Sequence, residues 1–183
     1  MIPWLKYFLL NLGSRLGLYR GSRPENGCPF CGIAVSENYR VIQSDRNTVV
    51  VLSKYQVRPG HLLILPRRHV ASFCDLEDGE ISQLSWWTRW ADRALVSAGM
   101  AEGVNIAVND GEAAGQTVPH VHVHVLPRRR GDLRLSYVWA NPALLFSGST
   151  LSPTDAEDFK KRICSAGTPP DAENRPYGPA SQS

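Results

Sequence analysis

The 183-residue chain has no long hydrophobic run. Its most apolar N-terminal stretch, Tyr7 to Leu10, is broken by Asn11 and Gly13 and followed by Arg15 and Arg20. That run is too short to span a bilayer as a helix, and no clear cleavage pattern of a secretory leader follows it. The expectation is a soluble, cytoplasmic protein. An excess of charge is also lacking: the net charge of +3 argues against a nucleic acid polymer as partner. What basic residues there are cluster locally, at Arg67-Arg68 and Arg128-Arg129-Arg130, as a basic mouth on a site for small acidic substrates would. Cysteine is scarce. Of Cys28, Cys31, Cys74 and Cys164, two form the tight pair Cys28-Pro29-Phe30-Cys31, which in a reducing compartment reads as metal or redox chemistry and not as a disulfide framework. There is no internal repeat, and 43% hydrophobic residues suffice for one globular domain with tails.

Three regions follow from the patterning. Residues 1–26 form an N-terminal arm in which Leu5, Phe8, Leu9, Leu12 and Leu16 recur at helical spacing, predicting an amphipathic helix from Trp4 to Tyr19. Packing on the domain or on a partner subunit is the favoured role for this arm, and anchoring at a membrane surface the less favoured one, because only Lys6, Arg15 and Arg20 supply positive charge. Residues 27–164 form the domain, and from Ser165 the Gly-, Pro- and Ser-rich tail is expected to be disordered.

Within the domain, Val41 to Gln43 and Thr48 to Leu52 flank a turn and predict a β-hairpin; His61 to Leu65 predicts a third strand after the turn signal Arg58-Pro59-Gly60. From Leu76 to Ala98, Ile81, Leu84, Trp87, Ala91, Ala94 and Leu95 form one helical stripe, with Asp75 or Asp78 as N-cap and Gly99 at the C-terminal end. Trp86 and Trp90 flank that stripe, as extra core width or, less favoured, as a contact for a second subunit. Gly103 to Val108 predicts a fourth strand, Thr117 to Leu126 a fifth, and Ser152-Pro153-Thr154 opens a short helix to about Ile163. Trp139 and Leu144 to Phe146 imply further packing. The fold class is α+β: a five-stranded, mainly antiparallel sheet with one long helix and a short C-terminal helix.

Chemistry concentrates in Gly115 to Arg130, where His120, His122 and His124 alternate with Val121, Val123 and Val125. A period of two puts the imidazoles on one face of the chain and the valines on the other. Along a strand His120 and His124 would be roughly 13 Å apart, too far for three imidazoles to grip one metal, so the three need different roles. One role is a closed tetrahedral zinc site, with Cys28 and Cys31 giving two ligands and His69 and His120 as candidates for the others. A redox pair or two free thiols would share the Cys-x-x-Cys spacing, but no thioredoxin-like context surrounds it. Another role is nucleophilic attack on phosphorus by a neutral imidazole, with donors for the developing charge among Gln116, Thr117, His61, His124 and the arginines.

The stretch Gln116 to Leu126 resembles the signature of the histidine triad (HIT) family, and the resemblance extends through Arg58 to His69 and Asn109-Asp110-Gly111, over roughly residues 28–132. His120 to Asp132 is most similar to the dinucleoside polyphosphate hydrolases and related phosphorylases, and the Cys-x-x-Cys pair to the zinc-containing branch. The resemblance implies His122 as nucleophile, His124 and His61 lining the phosphate site, Gln116 bridging toward the scissile oxygens, Thr117 and Asn109 contacting phosphate, and zinc on Cys28, Cys31, His69 and His120. It also implies a homodimer with a continuous ten-stranded sheet. Ser53 stands where relatives usually carry Asp or Asn for the ribose hydroxyls, and its shorter side chain predicts weaker ribose contacts. The expected activity is hydrolysis or transfer at the α-phosphate of a dinucleoside polyphosphate or nucleoside phosphoramidate. Dinucleoside polyphosphate phosphorolysis, a nucleotide-binding regulatory module with little turnover, and a catalytic metal site on the histidines are the rival expectations.

Overall fold

The computed structural model describes residues 27–35, 38–132 and 149–167. The expected helix Trp4 to Tyr19, the packing of Trp139 and Leu144 to Phe146, and the tail beyond residue 167 lie outside the described residues. The described elements run α1 (Pro29–Val35), β1 (Val41–Ser44), β2 (Thr48–Leu52), β3 (Tyr55–Gln56), β4 (Leu62–Pro66), α2 (Asp78–Ser97), β5 (Gly103–Val108), β6 (Val123–Arg128), β7 (Ser149–Thr150) and α3 (Pro153–Ala166). Five strands form one antiparallel sheet in the order β1-β2-β4-β6-β5, and β3 pairs with β7 in a separate two-stranded ribbon. The α+β class and the five-stranded sheet are as expected.

Both faces of the sheet are covered, which is why β2 and β4 are buried along their whole length. Successive residues of a strand point to opposite faces, and two apolar clusters divide them accordingly. Val50, Leu52, Leu62, Ile64, Val123 and Val125 pack with Trp86, Trp87, Trp90, Ala91, Ala94 and Leu95 of α2. Val49, Val51, Leu63 and Leu65 pack with Cys28, Phe30, Ile33 and Ala34 around α1. His124 pairs across the sheet with Leu63, so it belongs to the α1 face.

The long helix starts later than its apolar pattern implied. Its N-cap is Glu77, in a reciprocal capping box with Glu80, and neither Asp75 nor Asp78 takes that role. Gly99 follows the last turn in a left-handed conformation (φ 66°), as a terminating glycine does. Trp86 and Trp90 are both buried in the core of this one chain. α3 runs to Ala166, past the expected end, and Trp90 Nε1 donates to the Gly167 carbonyl at 3.3 Å. The third strand is shifted by one residue and includes Pro66, opposite Thr48.

The fifth strand departs most from its pattern. It begins at Val123 and not at Thr117. Pro119 brings no N–H to a ladder, the His120 N–H bonds back to the Val118 carbonyl at 2.8 Å, and the Val121 N–H goes to Val70 at 2.7 Å. The alternation survives without the ladder: Val121 is buried with the α2 cluster while His120 and His122 contact Phe30 of the α1 cluster.

Candidate functional site

Cys28 immediately precedes α1 and Cys31 lies one turn on, a spacing of three that puts both thiols on one side of the helix start. Their sulfurs meet two histidines from the far end of β4 and the approach to β6. Cys31 Sγ is 3.2 Å from His69 Nδ1 and 3.6 Å from His120 Nδ1, and Cys28 Sγ is 3.5 Å from His120 Nδ1. All four ligand atoms lie within 4.8 Å of one another. A tetrahedral zinc with ordinary Zn–S and Zn–N bonds has ligand-to-ligand edges of roughly 3.3–3.8 Å, so the set fits that ion in size and donor chemistry.

Two further observations suit a cation there. His120 Nε2–H donates to the Pro66 carbonyl at 2.9 Å, which directs its Nδ1 lone pair at the sulfurs, and burial holds this imidazole neutral with its pKa lowered to about 4. Burial first, and the adjacent Cys28 thiol second, push Cys31 up to about 11. Two thiolates this close need a positive charge between them.

The other three histidines form a separate group. His122 Nδ1–H donates to the His120 carbonyl at 2.8 Å, so that Nε2 carries the lone pair of the neutral ring. The His122 and His124 rings are 4.7 Å apart between centroids, and those of His124 and His61 are stacked at 5.3 Å. His61 Nδ1 lies 3.4 Å from the Tyr55 carbonyl and its Nε2 lies 3.1 Å from His124 Nδ1. Only one tautomer set satisfies that chain: His61 donates from Nδ1 to Tyr55 and accepts at Nε2 from His124 Nδ1–H. Burial is the main cause lowering the pKa of all three, His61 to about 4, so the group is neutral near pH 7. Neutral imidazole is the nucleophilic form.

The remaining predicted residues divide. Gln116 clamps a loop: its Oε1 accepts from the Gly111 N–H at 2.8 Å and its Nε2 donates to the Ala71 carbonyl at 2.8 Å. Thr117 is exposed and Asn109 half-buried on the same loop. Ser53 is buried, with its hydroxyl donating to the Tyr55 carbonyl at 2.8 Å. The arginines do not form the expected mouth. Arg128 donates to the Asp132 carbonyl and Arg130 pairs with Glu102 at 3.4 Å, at the end of β6 opposite His122. Arg67 is spent on the Asp45 and Ala34 carbonyls, and Arg68 on Glu80.

Two residues were missed by sequence reasoning. Gln56, buried on β3, accepts from the Gly60 and His61 N–H groups at 2.9 and 3.0 Å and donates to the Ser53 and His61 carbonyls at 2.6 and 3.3 Å. It frames the main chain of His61 from both sides. Phe30, inside the Cys-x-x-Cys turn, touches the rings of both His120 and His122. A glutamine in a two-residue strand carries no pattern, and a phenylalanine between two cysteines reads only as spacing.

Comparison with known proteins places the fold. The HIT domain family model matches residues 36–131. An AP-4-A phosphorylase of Mycobacterium tuberculosis is 32% identical over 124 residues, 67% of this chain and 60% of that protein. An asymmetrical bis(5'-nucleosyl)-tetraphosphatase of Schizosaccharomyces pombe is 41% identical over 76 residues, 42% of each chain. Among solved structures, a zinc-bound histidine triad family protein from Mycobacterium smegmatis superposes with a TM-score of 0.62 at 28% identity, covering 76% of this chain and 94% of that one.

Proposed function

The chain belongs to the HIT domain family, and on that premise we propose that it is an enzyme cleaving at the α-phosphate of a dinucleoside polyphosphate or nucleoside phosphoramidate through a nucleotidyl-histidine intermediate. The observation that carries this is the His122 tautomer: a neutral ring, its Nδ1–H held by the His120 carbonyl, with Nε2 left as nucleophile. In the first step the Nε2 lone pair forms a bond to the α-phosphorus, and the P–O or P–N bond to the leaving group breaks. The ring then carries positive charge, which the hydrogen bond to the His120 carbonyl stabilises. In the second step a water oxygen attacks the phosphorus, the P–N bond breaks, the electron pair returns to Nε2, and the proton lost by the water passes to solvent. The relay from His124 through His61 to the Tyr55 carbonyl fixes His124 beside the reacting ring.

Asn109, Gln116 and Thr117 take the phosphate oxygens in this proposal, with Gln116 reaching them from the loop it now clamps, and Ser53 offers the ribose a weaker partner than a carboxylate would. With the arginines engaged elsewhere, charge in the transition state falls to the histidines and the loop N–H groups. Cys28, Cys31, His69 and His120 would hold zinc, which supplies a covalent-strength cross-link between α1, β4 and the approach to β6. A homodimer is part of the same proposal, supported by β5 being an edge strand with Ile106 53% exposed. Among the described residues no helix is long and apolar enough to cross a membrane, and none of the four cysteines is in a disulfide. A cytoplasmic location belongs to the same proposal, supported by the Cys-x-x-Cys pair being placed for a metal.

The phosphorylase alternative is favoured by the mycobacterial relative and shares the first step. Turnover in 18O-labelled water separates the two. Hydrolysis through His122 places one labelled oxygen on the nucleoside monophosphate, whereas resolution by inorganic phosphate yields unlabelled nucleoside diphosphate. Label appearing on the other product instead would contradict attack at the α-phosphorus.

A further inference from the structure

We propose that Phe30 is a positioning residue for His122, holding the plane of its ring and tying it to the cysteine–histidine cluster. The inference rests on the nucleotidyl-histidine reading for its kinetic arm, though not for its spectroscopic one. The hydrogen bond from Nδ1–H to the His120 carbonyl restrains the ring torsion of His122, since Nδ1 lies off the rotation axis, but with the slack that hydrogen-bond angles tolerate and the broad minima of an imidazole's terminal bond allow. Attack in line on phosphorus requires the Nε2 lone pair to be aimed.

The Phe30 ring narrows that slack, from another element than the His124 ring that lies 4.7 Å from His122. It meets His122 edge-on at 5.1 Å between centroids with the planes at 67°, and meets His120 at 5.9 Å and 84°. Edge-to-face contacts of this kind are directional, so a ring rotation of His122 is opposed on geometric grounds as well as by volume. Phe30 is itself immobilised. It is 8% exposed, sits in α1 between the two cysteine ligands, and packs with Val49, Val51, Leu63 and Leu65 of the sheet. His120 in turn is held by the Pro66 carbonyl and the sulfurs. Orientation of the reacting ring is therefore coupled through one aromatic side chain to the cysteine–histidine cluster. A space-filling role alone would be served equally by an aliphatic side chain.

The test compares wild type with Phe30→Leu, Phe30→Met and Phe30→Tyr, each reconstituted with one equivalent of Zn2+. Bound zinc, melting temperature, the histidine-ring 1H–15N correlation of His122, substrate affinity and single-turnover adduct formation are measured. In Phe30→Leu we expect zinc binding retained and the single Nδ1–H pattern of His122 replaced by a broadened, averaged one. Adduct formation should be slower by about 10- to 100-fold with substrate dissociation changed less than about threefold, and Phe30→Tyr should restore both ring signal and rate. A wild-type ring spectrum in Phe30→Leu overturns the proposal, as does loss of zinc in both Phe30→Leu and Phe30→Met, which would make the role structural. If wild type forms no adduct, the nucleotidyl-histidine reading fails, and the ring spectra still decide the role of Phe30.

Discussion

The roles proposed for His120 and His122 follow from what the second nitrogen of each touches. His120 gives Nε2–H to Pro66 and turns Nδ1 to the sulfurs, whereas His122 gives Nδ1–H to His120, so that Nε2 is the atom proposed for attack. His61 carries a consequence for stability. Its pKa falls from the usual 6.5 to about 4 on folding, chiefly through burial, so between these values the unfolded chain binds a proton that the folded chain does not. The stability this group contributes is full above 6.5 and is lost as pH falls toward about 4. Urea unfolding should thus give a stability lower by on the order of 2 kcal/mol at pH 5 than at pH 7, with a smaller difference in His61→Asn. An equal difference in that variant would assign the effect to other groups. That His120 stands with the cysteines, apart from His122 and His124, was legible in the alternation and the strand rise. The clamp made by Gln116 was not, because it depends on the Gly111 and Ala71 groups that folding brings to the amide.

Among the elements, the regular ones were legible and the short ones were not. β2 lies where its β-branched run puts it, because a strand buried on both faces needs an apolar side chain at every position, and the partly buried β1 and β5 at the sheet edges also lie where their sequence patterns put them. α1 has seven residues and β3 two, too few for any periodicity to register, yet they carry Phe30, Cys31 and Gln56. β6 lost its first six expected residues because Pro119 and the bond from the Val121 N–H to Val70 take that backbone out of the ladder. β3 is where a substitution tests the site's frame. Gln56→Leu leaves the Gly60 N–H buried without its acceptor, while the His61 N–H keeps the Arg58 carbonyl at 3.0 Å, at a cost of about 1–3 kcal/mol. It should also slow turnover through displacement of His61, and chemical denaturation with parallel kinetics would show both. A stable, fully active variant would mean that the ribbon of β3 and β7 has no part in the site.

Across the whole molecule, residues from α1, the ends of β4 and the approach to β6 converge on two adjacent groups, one suited to a metal and one to chemistry. The convergence of Cys28 and Cys31 with His69 and His120, distant in sequence, was anticipated from ligand spacing, since thiol pairs at that interval need partners of that kind. Chelation should lower the melting temperature by roughly 10 °C or more, because the site joins three elements, while protein kept folded at low temperature still forms adduct. Activity that vanishes on chelation with the fold intact would favour a catalytic metal instead. The most direct measurement of the central claim is mass spectrometry of protein quenched during turnover with a dinucleoside polyphosphate. Peptide mapping should find one nucleoside monophosphate on His122, with none in His122→Ala and activity in that variant down by roughly a thousandfold or more. A fully active His122→Ala enzyme, or an adduct on another residue, would contradict it.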